Sequence, residues 1–565
     1  MQQRVIFSLL TGLLMTGCNA PGSSGAGQQP TTKPAVQTTM PAEVTFDWFK
    51  YATPNNRPAA PAGEFANPVL PGFYPDPSIT KKGDDYYVTT SSFSYTPGLP
   101  ILHSKNLTDW ELIGYALDRE AQMEFSGARI SRGIFAPTIR YHDGLFYIIT
   151  TSVDNGGNFI ITASDPAGPW SEPIWLPEVG GIDPDIFFDD DGRVYITHNE
   201  APPGKPLYNG HRAIWMWEYD PATQKVLPDS RKLLVNGGVD ISQEPIWIEA
   251  PHLYKVNGWY YLSCAEGGTG PQHSQVVFRS RSLDEPFIPY ENNPILTQRD
   301  LSWPRPNPVD TAGHADMIQT EAGEWWAVFL GTRPYDNYLY NTGRDTFLLP
   351  VEWRNEWPHI LPAKTPIPPT SPRPAGTSKQ QGTNFYDWDE QFDGHSLSVR
   401  WQTPRDFDRH WMSIESGVLT MSPLENALYS KEMVSYVGTH QAAASFAAST
   451  EVTIAKTSTA EAGLAAFQSA SYHYFLGLRG EQGRYEAFVE QVVDGKVTTV
   501  ARQALTTPVG EPVKVKIHGE GASIEFAVEQ HGAWLAVGGS QDATWLSTQK
   551  AGGFVGTTIG PHARK

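Results

Sequence analysis

Asp143-Gly144-Leu145-Phe146-Tyr147 is a turn followed directly by an aromatic strand, and the chain contains this pattern five times. Asp-Gly and Asn-Gly pairs tolerate positive φ and favour tight β-hairpins. The other copies are Gly83-Asp84-Asp85-Tyr86-Tyr87, Asp191-Gly192-Arg193-Val194-Tyr195, Asn257-Gly258-Trp259-Tyr260-Tyr261 and Ala322-Gly323-Glu324-Trp325-Trp326. Counted at the closing aromatic residue, successive copies lie 60, 48, 66 and 65 residues apart. Each interval has room for about four short strands, which predicts a five-bladed β-propeller.

The residue at one fixed distance before each closing aromatic residue is chemically distinctive. Phe135, Asp183, Glu249 and His314 lie 12 residues before their aromatic residue, and Asp76 lies 11 residues before its own. The inner strands of a propeller surround its axis, so equivalent positions converge at one mouth. We therefore predict a site that combines three carboxylates, one aromatic ring and one imidazole.

Two of these carboxylates stand in rigid, apolar sequence. Asp76 lies between two prolines, and Glu249 lies within Trp-Ile-Glu-Ala-Pro. A carboxylate in such surroundings is costly unless its charge is used or its pKa is shifted. The alternative is that acidic residues at strand ends only bind turn amides. That interpretation fits Asp189-Asp190-Asp191, which we expect to form a solvated hairpin tip.

The composition restricts the class of protein. The chain has 565 residues, which is too long for one hydrophobic core. Of these residues 40% are hydrophobic and 18% are charged, a composition that excludes a largely disordered protein. A net charge of −19 argues against a nucleic-acid partner, since such proteins need a basic face. With two cysteines, Cys18 and Cys264, disulfides are not the framework. Cys264 is predicted to be a small buried residue in a strand.

The N-terminus has the features of an export signal. Arg4 precedes the apolar run 5–15, which is too short to span a membrane as a mature helix. The following Thr16-Gly17-Cys18 resembles a bacterial lipobox, in which Cys18 is lipidated; the alternative is an ordinary secretory signal with an incidental cysteine. We predict a lipoprotein signal peptide over 1–18 and a flexible tether over 19–63. The exported protein is then expected in the bacterial cell envelope, in the periplasm or on the outer membrane or cell surface.

Four motifs resemble glycoside hydrolase family 43, which contains β-xylosidases and α-L-arabinofuranosidases built on a five-bladed propeller. They are Phe73-Tyr74-Pro75-Asp76-Pro77-Ser78, Ile182-Asp183-Pro184, Glu249-Ala250-Pro251-His252-Leu253-Tyr254 and Gly313-His314-Ala315-Asp316. By this resemblance Asp76 is the general base and Glu249 the general acid of an inverting hydrolysis. Asp183 is the carboxylate that orients Glu249 and raises its pKa. Asp185, two residues later, is the competing candidate for that last role.

The resemblance also implies five residues of the sugar pocket: Phe93, Phe135, Thr269, His314 and Arg333. Phe135 stands where the family commonly has Trp, so its stacking surface is smaller. Arg333 would bind sugar hydroxyls, with an exposed loop arginine as the alternative. His314 would orient a carboxylate or help to hold a central structural cation such as Ca²⁺. The alternative for His314 is a neutral, hydrogen-bonded side chain without a metal, and the resemblance implies no required cofactor.

The C-terminal half has a different pattern from the propeller, which we place at 64–361. Six prolines between 362 and 374 predict a stiff linker over 362–384. Over 385–565, alternation such as Val513-Lys514-Val515-Lys516-Ile517 predicts an antiparallel β-sandwich. This part resembles the concanavalin-like domain of xylosidase-type members. We expect it to wall one side of the pocket, which favours exo attack over the open cleft of an endo-acting arabinanase.

The sequence therefore predicts an all-β, exo-acting, inverting glycosidase that releases a terminal pentose from plant cell-wall xylo- or arabino-oligosaccharides. β-D-Xylosidase is the preferred activity, with α-L-arabinofuranosidase or dual specificity as the alternative. A non-catalytic carbohydrate-binding lipoprotein is the alternative from another class, and the three carboxylates argue against it. We expect membrane contact through the lipid anchor only, and no nucleic-acid partner.

Overall fold

The computed structural model describes residues 43–54 and 59–565. The predicted signal peptide, Cys18 and the tether up to residue 42 lie outside the described residues. Within the described part, no helix is long and apolar enough to cross a membrane. The first half of this part forms five antiparallel sheets of four or five strands each, and the second half forms two larger sheets.

The five sheets are the blades of the predicted propeller, and the first strands of neighbouring blades are in contact. Blade 1 consists of Ser78–Lys82, Asp85–Thr89, Gly98–Ser104 and Glu111–Leu117. Blade 2 consists of Thr138–His142, Leu145–Ser152, Gly157–Ala163 and Ile174–Trp175. Blade 3 consists of Ile182–Phe188, Val194–Glu200, Ala213–Asp220, Lys225–Val226 and Lys232–Asn236.

The remaining two blades follow the same plan. Blade 4 consists of Glu249–Val256, Trp259–Glu266, Ser274–Ser280, Ile288–Pro289 and Leu296–Thr297. Blade 5 consists of Asp310–Gln319, Trp325–Thr332, Asp345–Arg354 and Trp357–His359. Cys264, in the second strand of blade 4, is a fully buried free thiol, which confirms its predicted place.

Each predicted turn joins the first and second strands of one blade. In blade 4, Asn257 and Gly258 both have positive φ, 49° and 76°, as a tight hairpin requires. The acidic tip of blade 3 is only partly solvated, which corrects the expectation for it. Asp189 is buried and accepts hydrogen bonds of 2.6 Å from Lys255 Nζ and from Tyr260 OH.

The segment before blade 1 closes the ring against blade 5. Asn67 Nδ2 donates to the Leu348 carbonyl at 2.9 Å, and Leu348 N donates to Asn67 Oδ1 at 3.0 Å. Leu70 and Thr346 exchange backbone hydrogen bonds of 3.1 and 3.0 Å. These hydrogen bonds satisfy backbone groups of blade 5 that would otherwise lie at an open sheet edge.

A buried polar network joins the first strands of all five blades. Arg140 of blade 2 donates to Asp185 of blade 3 at 2.7 Å and to Asp316 of blade 5 at 2.8 Å. Asp316 also accepts from Ser78 Oγ of blade 1 and from Tyr254 OH of blade 4, each at 2.7 Å. Although burial acts in the opposite direction, the positive charge of Arg140 holds the pKa of Asp316 well below its usual range. We call these five residues the axial network.

Two antiparallel sheets form the predicted sandwich around an apolar core that includes Trp401, Trp411, Phe446 and Leu476. The first sheet contains Met412–Glu415, Val418–Met421, Val44–Ala52, Ser445–Ile454, Val513–Glu520, Ser523–Gln530 and Ala533–Ala536, with Trp388–Glu390 and Gln541–Asp542 at its sides. The second contains Ser435–Tyr436, Thr558–Arg564, Glu461–Ser469, Tyr472–Glu481, Arg484–Val493 and Lys496–Pro508, with Thr439–His440 beside Thr558–Arg564. Short helices lie at Ile241–Gln243, Ala543–Leu546 and Thr548–Ala551.

The strand Val44–Ala52 lies in the middle of the first sandwich sheet, although it precedes the propeller in sequence. The prediction of a flexible tether over 19–63 is therefore wrong for this stretch. Its apolar side chains are buried on the sandwich core, with a bulge between Phe46 and Phe49. The composition of 19–63 as a whole is typical of a tether, but within it Val44–Ala52 has the alternating apolar pattern of a strand.

The predicted linker over 362–384 packs along the propeller. Its strand Thr370–Pro372 pairs with Glu64–Ala66, and Arg373 forms a 2.8 Å ion pair with Asp109. A second small ladder, Tyr95–Thr96 with Thr403–Pro404, joins blade 1 to the C-terminal half. The segment 362–384 is therefore held along the propeller, and the second ladder holds the start of the C-terminal half against the same domain.

Candidate active site

The predicted site residues lie where the first strands depart from regular geometry. Asp76, Asp183 and His314 have left-handed φ angles of 55°, 54° and 53°. The pairing register shifts at 182–185 in blade 3, at 249–252 in blade 4 and at 310–316 in blade 5. Bulges re-aim side chains, and such backbone strain is concentrated at functional sites. The same local distortion thus recurs at the equivalent position of several blades.

Asp76 is buried, and both of its carboxylate oxygens are bound. Arg344 donates from Nη1 to Oδ1 at 2.5 Å and from Nη2 to Oδ2 at 3.2 Å, and Ser91 Oγ donates to Oδ2 at 2.6 Å. His314 Nδ1 lies 3.5 Å from Oδ1. Burial alone would raise the pKa of Asp76, but the positive charge of Arg344 and the hydrogen bond from Ser91 hold it below its usual value. Asp76 is therefore ionised at neutral pH, as a general base must be.

Glu249, the first residue of blade 4, has the opposite shift. Its side chain is buried, and burial together with the negative charges of Asp183 and Asp76 raises the pKa of Glu249 well above its usual value. The positive charges of Arg344 and Arg212 only partly oppose this effect. A raised pKa favours the protonated form of this carboxyl group, as a general acid needs.

Asp183 lies beside the acid. Its carboxylate accepts a hydrogen bond from the backbone N–H of Ala250, the residue after Glu249, and burial and the charge of Asp76 raise the pKa of Asp183 to about 7. Asp185 lies elsewhere: it is fully buried in the axial network, where Arg140 and the backbone N–H of Leu253 bind it. Because the pairing register shifts between Ile182 and Asp185, the two aspartates have different surroundings. Asp183, and not Asp185, is the carboxylate next to Glu249.

Three phenylalanine rings form a wall beside the carboxylates. The ring of Phe93 lies 5.3 Å from that of Phe135 and 5.9 Å from that of Phe554, centroid to centroid. The Arg344 guanidinium lies 5.7 Å from the Phe554 ring. Phe554 belongs to the sandwich, and its backbone N–H donates to Ser131 Oγ of the propeller at 3.1 Å. The sandwich therefore contributes one ring to the site, a residue that no motif in the sequence had marked.

Arg333 does not join this site, and its predicted role as a sugar-binding residue is wrong. Its guanidinium donates to Asp345 at 3.0 and 2.6 Å and to the carbonyl of Ala442 in the sandwich at 2.7 Å. The arginine at the carboxylates is Arg344, eleven residues later. Thr269 is exposed on the turn after the second strand of blade 4, and its part in sugar binding stays a prediction.

His314 is buried, and burial lowers its pKa to about 3, so its imidazole is neutral. The described residues contain no group of three or more His, Cys, Asp or Glu side chains that could hold a metal ion. The central structural cation that the family resemblance left open stays a prediction. The charged partner of His314 is Asp76, at 3.5 Å, and its part in orienting that carboxylate stays a prediction.

Arg212 is a further residue that the sequence analysis missed. Its Nε donates to Asn199 Oδ1 at 2.9 Å, and Asn199 Nδ2 donates to the carbonyl of Ile248, the residue before Glu249. The positive charge of Arg212 acts on both Glu249 and Asp183. No local motif surrounds Arg212, because the contacts that give it a role come from other strands.

Comparisons with known proteins agree with this geometry. The profile of Glycosyl hydrolases family 43 matches residues 65–358, and that of the Beta xylosidase C-terminal Concanavalin A-like domain matches residues 389–564. The chain is 38% identical to a xylosidase/arabinosidase of Butyrivibrio fibrisolvens, over 88% of this chain and 95% of that protein. It is 34% identical to a non-reducing end alpha-L-arabinofuranosidase of Bacteroides ovatus, over 88% and 91%.

A solved structure shows that the likeness extends over both halves of the chain. The crystal structure of a GH43_12 retrieved from capybara gut metagenome superposes with a TM-score of 0.87 at 37% identity, and the match covers 93% of this chain and 100% of that one. The chain spans nearly the full length of these proteins, and both of its halves match. It is a glycoside hydrolase, and it belongs to family 43.

Proposed function

We propose that this protein is an exo-acting, inverting hydrolase that releases the terminal pentose of plant cell-wall xylo- or arabino-oligosaccharides. One observation carries the proposal: Asp76 and Glu249 are both buried, yet their pKa values are shifted in opposite directions. Two carboxyl groups held in opposite protonation states are what acid–base cleavage of a glycosidic bond needs.

The proposed reaction is a single displacement. Asp76 takes a proton from a water molecule, whose oxygen attacks the anomeric carbon. Glu249 gives its proton to the glycosidic oxygen as the bond from that oxygen to the anomeric carbon breaks. The products are a pentose of inverted configuration and the shortened saccharide. The cycle ends with Asp76 protonated and Glu249 ionised, and proton exchange with solvent restores both groups. This mechanism predicts a separation of roughly 6.5–9.5 Å between the two carboxyl groups.

We propose β-D-xylose as the preferred sugar, because the sandwich matches the C-terminal domain of beta xylosidases. α-L-Arabinofuranose is the second candidate, since the relatives carry both names. Exo attack is supported by Phe554, because a ring from the sandwich stands at the site and narrows its mouth. We expect no cofactor to be required, so dialysis against a chelator should leave the rate unchanged.

Initial rates on an aryl β-D-xyloside and an aryl α-L-arabinofuranoside test this proposal, with Asp76→Ala as the blank. A strong preference for one sugar identifies the substrate class, and comparable rates indicate a dual-specificity pocket. Proton NMR of the first-formed product should show inversion of the anomeric centre. Net retention would contradict the mechanism, and no cleavage above the blank would favour a carbohydrate-binding lipoprotein.

We also propose that the protein is exported and attached to the cell envelope through a lipid on Cys18. The support is the sequence pattern of Arg4, the apolar run 5–15 and Thr16-Gly17-Cys18. Labelled palmitate should be incorporated into the wild-type protein and not into Cys18→Ala, which should also leave the membrane fraction. Equal labelling of both proteins would overturn the assignment.

A further inference from the structure

A groove of about 430 Å³ is lined by residues that lie one and two positions before two of the carboxylates, Ile182 before Asp183 and Trp247 before Glu249. It lies between blades 2, 3 and 4, and its lining includes Arg132, Phe135, Asp154, Ile182, Arg212 and Trp247. Phe135 belongs to the aromatic wall described above, and Ile182 directly precedes Asp183. All of its lining residues belong to the propeller, and none belongs to the sandwich.

Trp247 presents an exposed indole to this groove. Its side chain is 38% exposed, and its φ of 52° is a left-handed conformation that is costly for a bulky residue. Two neighbouring loops maintain this conformation. Trp247 N donates to the Gly210 carbonyl at 2.9 Å, and Gly267 N donates to the Ile246 carbonyl at 2.8 Å. Trp247 therefore keeps a strained backbone conformation in which its ring remains in contact with solvent.

The same ring is connected to the general acid through Arg212. The Arg212 guanidinium lies 4.9 Å from the centroid of the Trp247 indole. Arg212 also binds Asn199, and Asn199 binds the carbonyl of Ile248, which stands between Trp247 and Glu249 in sequence. Arg212 and Asn199 therefore connect the indole to the backbone that directly precedes the acid.

We propose that this groove binds the leaving group, that is, the saccharide on the far side of the scissile bond, and that its first ring stacks on Trp247. The inference rests on the proposed function. Glu249 protonates the leaving oxygen, so the leaving group must lie on the side of Glu249. An exposed aromatic face suits the apolar face of a pyranose ring, and a groove of this size is typical of small-ligand sites.

The rim of the groove suits the hydroxyl groups of such a ring. Arg132 and Asp154 form a 2.7 Å ion pair there, and their side chains are 36% and 33% exposed. Donors and acceptors that remain accessible to solvent can exchange water for sugar hydroxyls at little cost. Trp247 is therefore a residue that selects oligosaccharides over short glycosides, and it does not determine which pentose is released.

Trp247→Ala tests the inference, measured on the trisaccharide of the pentose that the aryl assay identifies. We expect KM for the trisaccharide to rise about tenfold, with a smaller change in kcat. Inhibition by the free pentose, which fills only the terminal-sugar pocket, should keep its wild-type constant. Trp247→Phe retains a ring and should restore most of the affinity. Trp534→Ala is the matched control, because Trp534 is 44% exposed, carries Lys516 over its ring at 4.3 Å and lies in the sandwich.

An unchanged KM for the trisaccharide in Trp247→Ala would overturn the inference. Weaker inhibition by the free pentose in step with KM would also overturn it, because the substitution would then act on the whole site. If the wild-type protein cleaves neither aryl pentoside, the proposed function is refuted. The proposed leaving-group site is then refuted as well, because it depends on that function. The two failures are thus distinguished by the wild-type assay.

Discussion

Arg344 forms a bidentate ion pair with Asp76, with Nη1 2.5 Å from Oδ1 and Nη2 3.2 Å from Oδ2. The two residues are 268 positions apart in sequence and come from blade 5 and from the segment that leads into blade 1, where the propeller ring closes. The pairing fixes the plane of the carboxylate and keeps it ionised although it is buried. The geometry of the ring closure therefore determines both the position and the charge of the base.

Arg344→Met should move the acid limb of the pH–rate profile to higher pH. Loss of the positive charge removes the main effect that lowers the pKa of Asp76, so the base becomes protonated at a higher pH than in the wild type. The profile of kcat/KM against pH measures this shift. Arg344→Lys, which keeps the charge and loses the bidentate pairing, should shift the limb less. An acid limb that does not move would remove Arg344 from this role.

Glu249→Ala should affect substrates according to their leaving group. A poor leaving group needs the proton of Glu249, so the rate on an oligosaccharide should fall by about 10²–10⁴-fold. An activated aryl glycoside needs little acid assistance, and its rate should fall much less. Steady-state kinetics on a series of aryl glycosides measures the dependence. Equal losses on all substrates would exclude Glu249 as the acid, and Asp76→Ala, which should lose activity on every substrate, is the comparison.

Asp183→Asn should move the basic limb of the profile to lower pH. The negative charge of Asp183 raises the pKa of Glu249, so its removal lets Glu249 lose its proton at a lower pH, and activity is lost earlier as pH rises. Asp190→Asn removes the same charge from an exposed side chain of blade 3 and should leave the limb in place. If both variants behave alike, Asp183 does not tune the acid.

Phe554→Ala should weaken substrate binding with little effect on stability. The ring touches Phe93 and Phe135 and lies over Arg344, but it is 37% exposed, so the core loses little when it is removed. We expect kcat/KM to fall about tenfold and the melting temperature to change by a few degrees at most. Tyr429→Ala, at a residue of the C-terminal half that is 49% exposed, is the control. Wild-type kinetics in Phe554→Ala would show that the sandwich does not contribute to the site.

Arg140→Met should destabilise the propeller. It leaves the fully buried carboxylates of Asp185 and Asp316 without their cation, and breaking a buried ion pair costs about 3–5 kcal/mol. Urea denaturation followed by tryptophan fluorescence measures the loss. The triple variant Arg140→Met, Asp185→Asn, Asp316→Asn should recover part of the stability, because it removes the unpaired charges. A triple variant no more stable than the single one would contradict this explanation.

Much of the fold was readable from the sequence because its determinants are local. Hairpin turns and alternating strands are encoded within about ten residues, so the repeat at 60, 48, 66 and 65 residues predicts both the blades and the phase of the site residues. The strand Val44–Ala52 also has a local alternating pattern, but the sequence around it is rich in Ala, Pro, Gly, Ser, Thr and Gln, which favours a tether. Which of Asp183 and Asp185 lies next to Glu249 depends on the bulge between them, and the sequence motif does not reveal that bulge.

Other parts of the site depend on contacts that no local pattern encodes. Arg333 and Arg344 lie only eleven residues apart, and only the ring closure brings Arg344 to Asp76. Phe554 reaches the site from the sandwich, and Trp247 gains its role through loops and through Arg212. The sequence by itself determined the five blades and the three carboxylates that lie 11 or 12 residues before the closing aromatic residue of a blade. The tertiary structure decided their charges and their neighbours, because burial and long-range ion pairs exist only once distant segments meet.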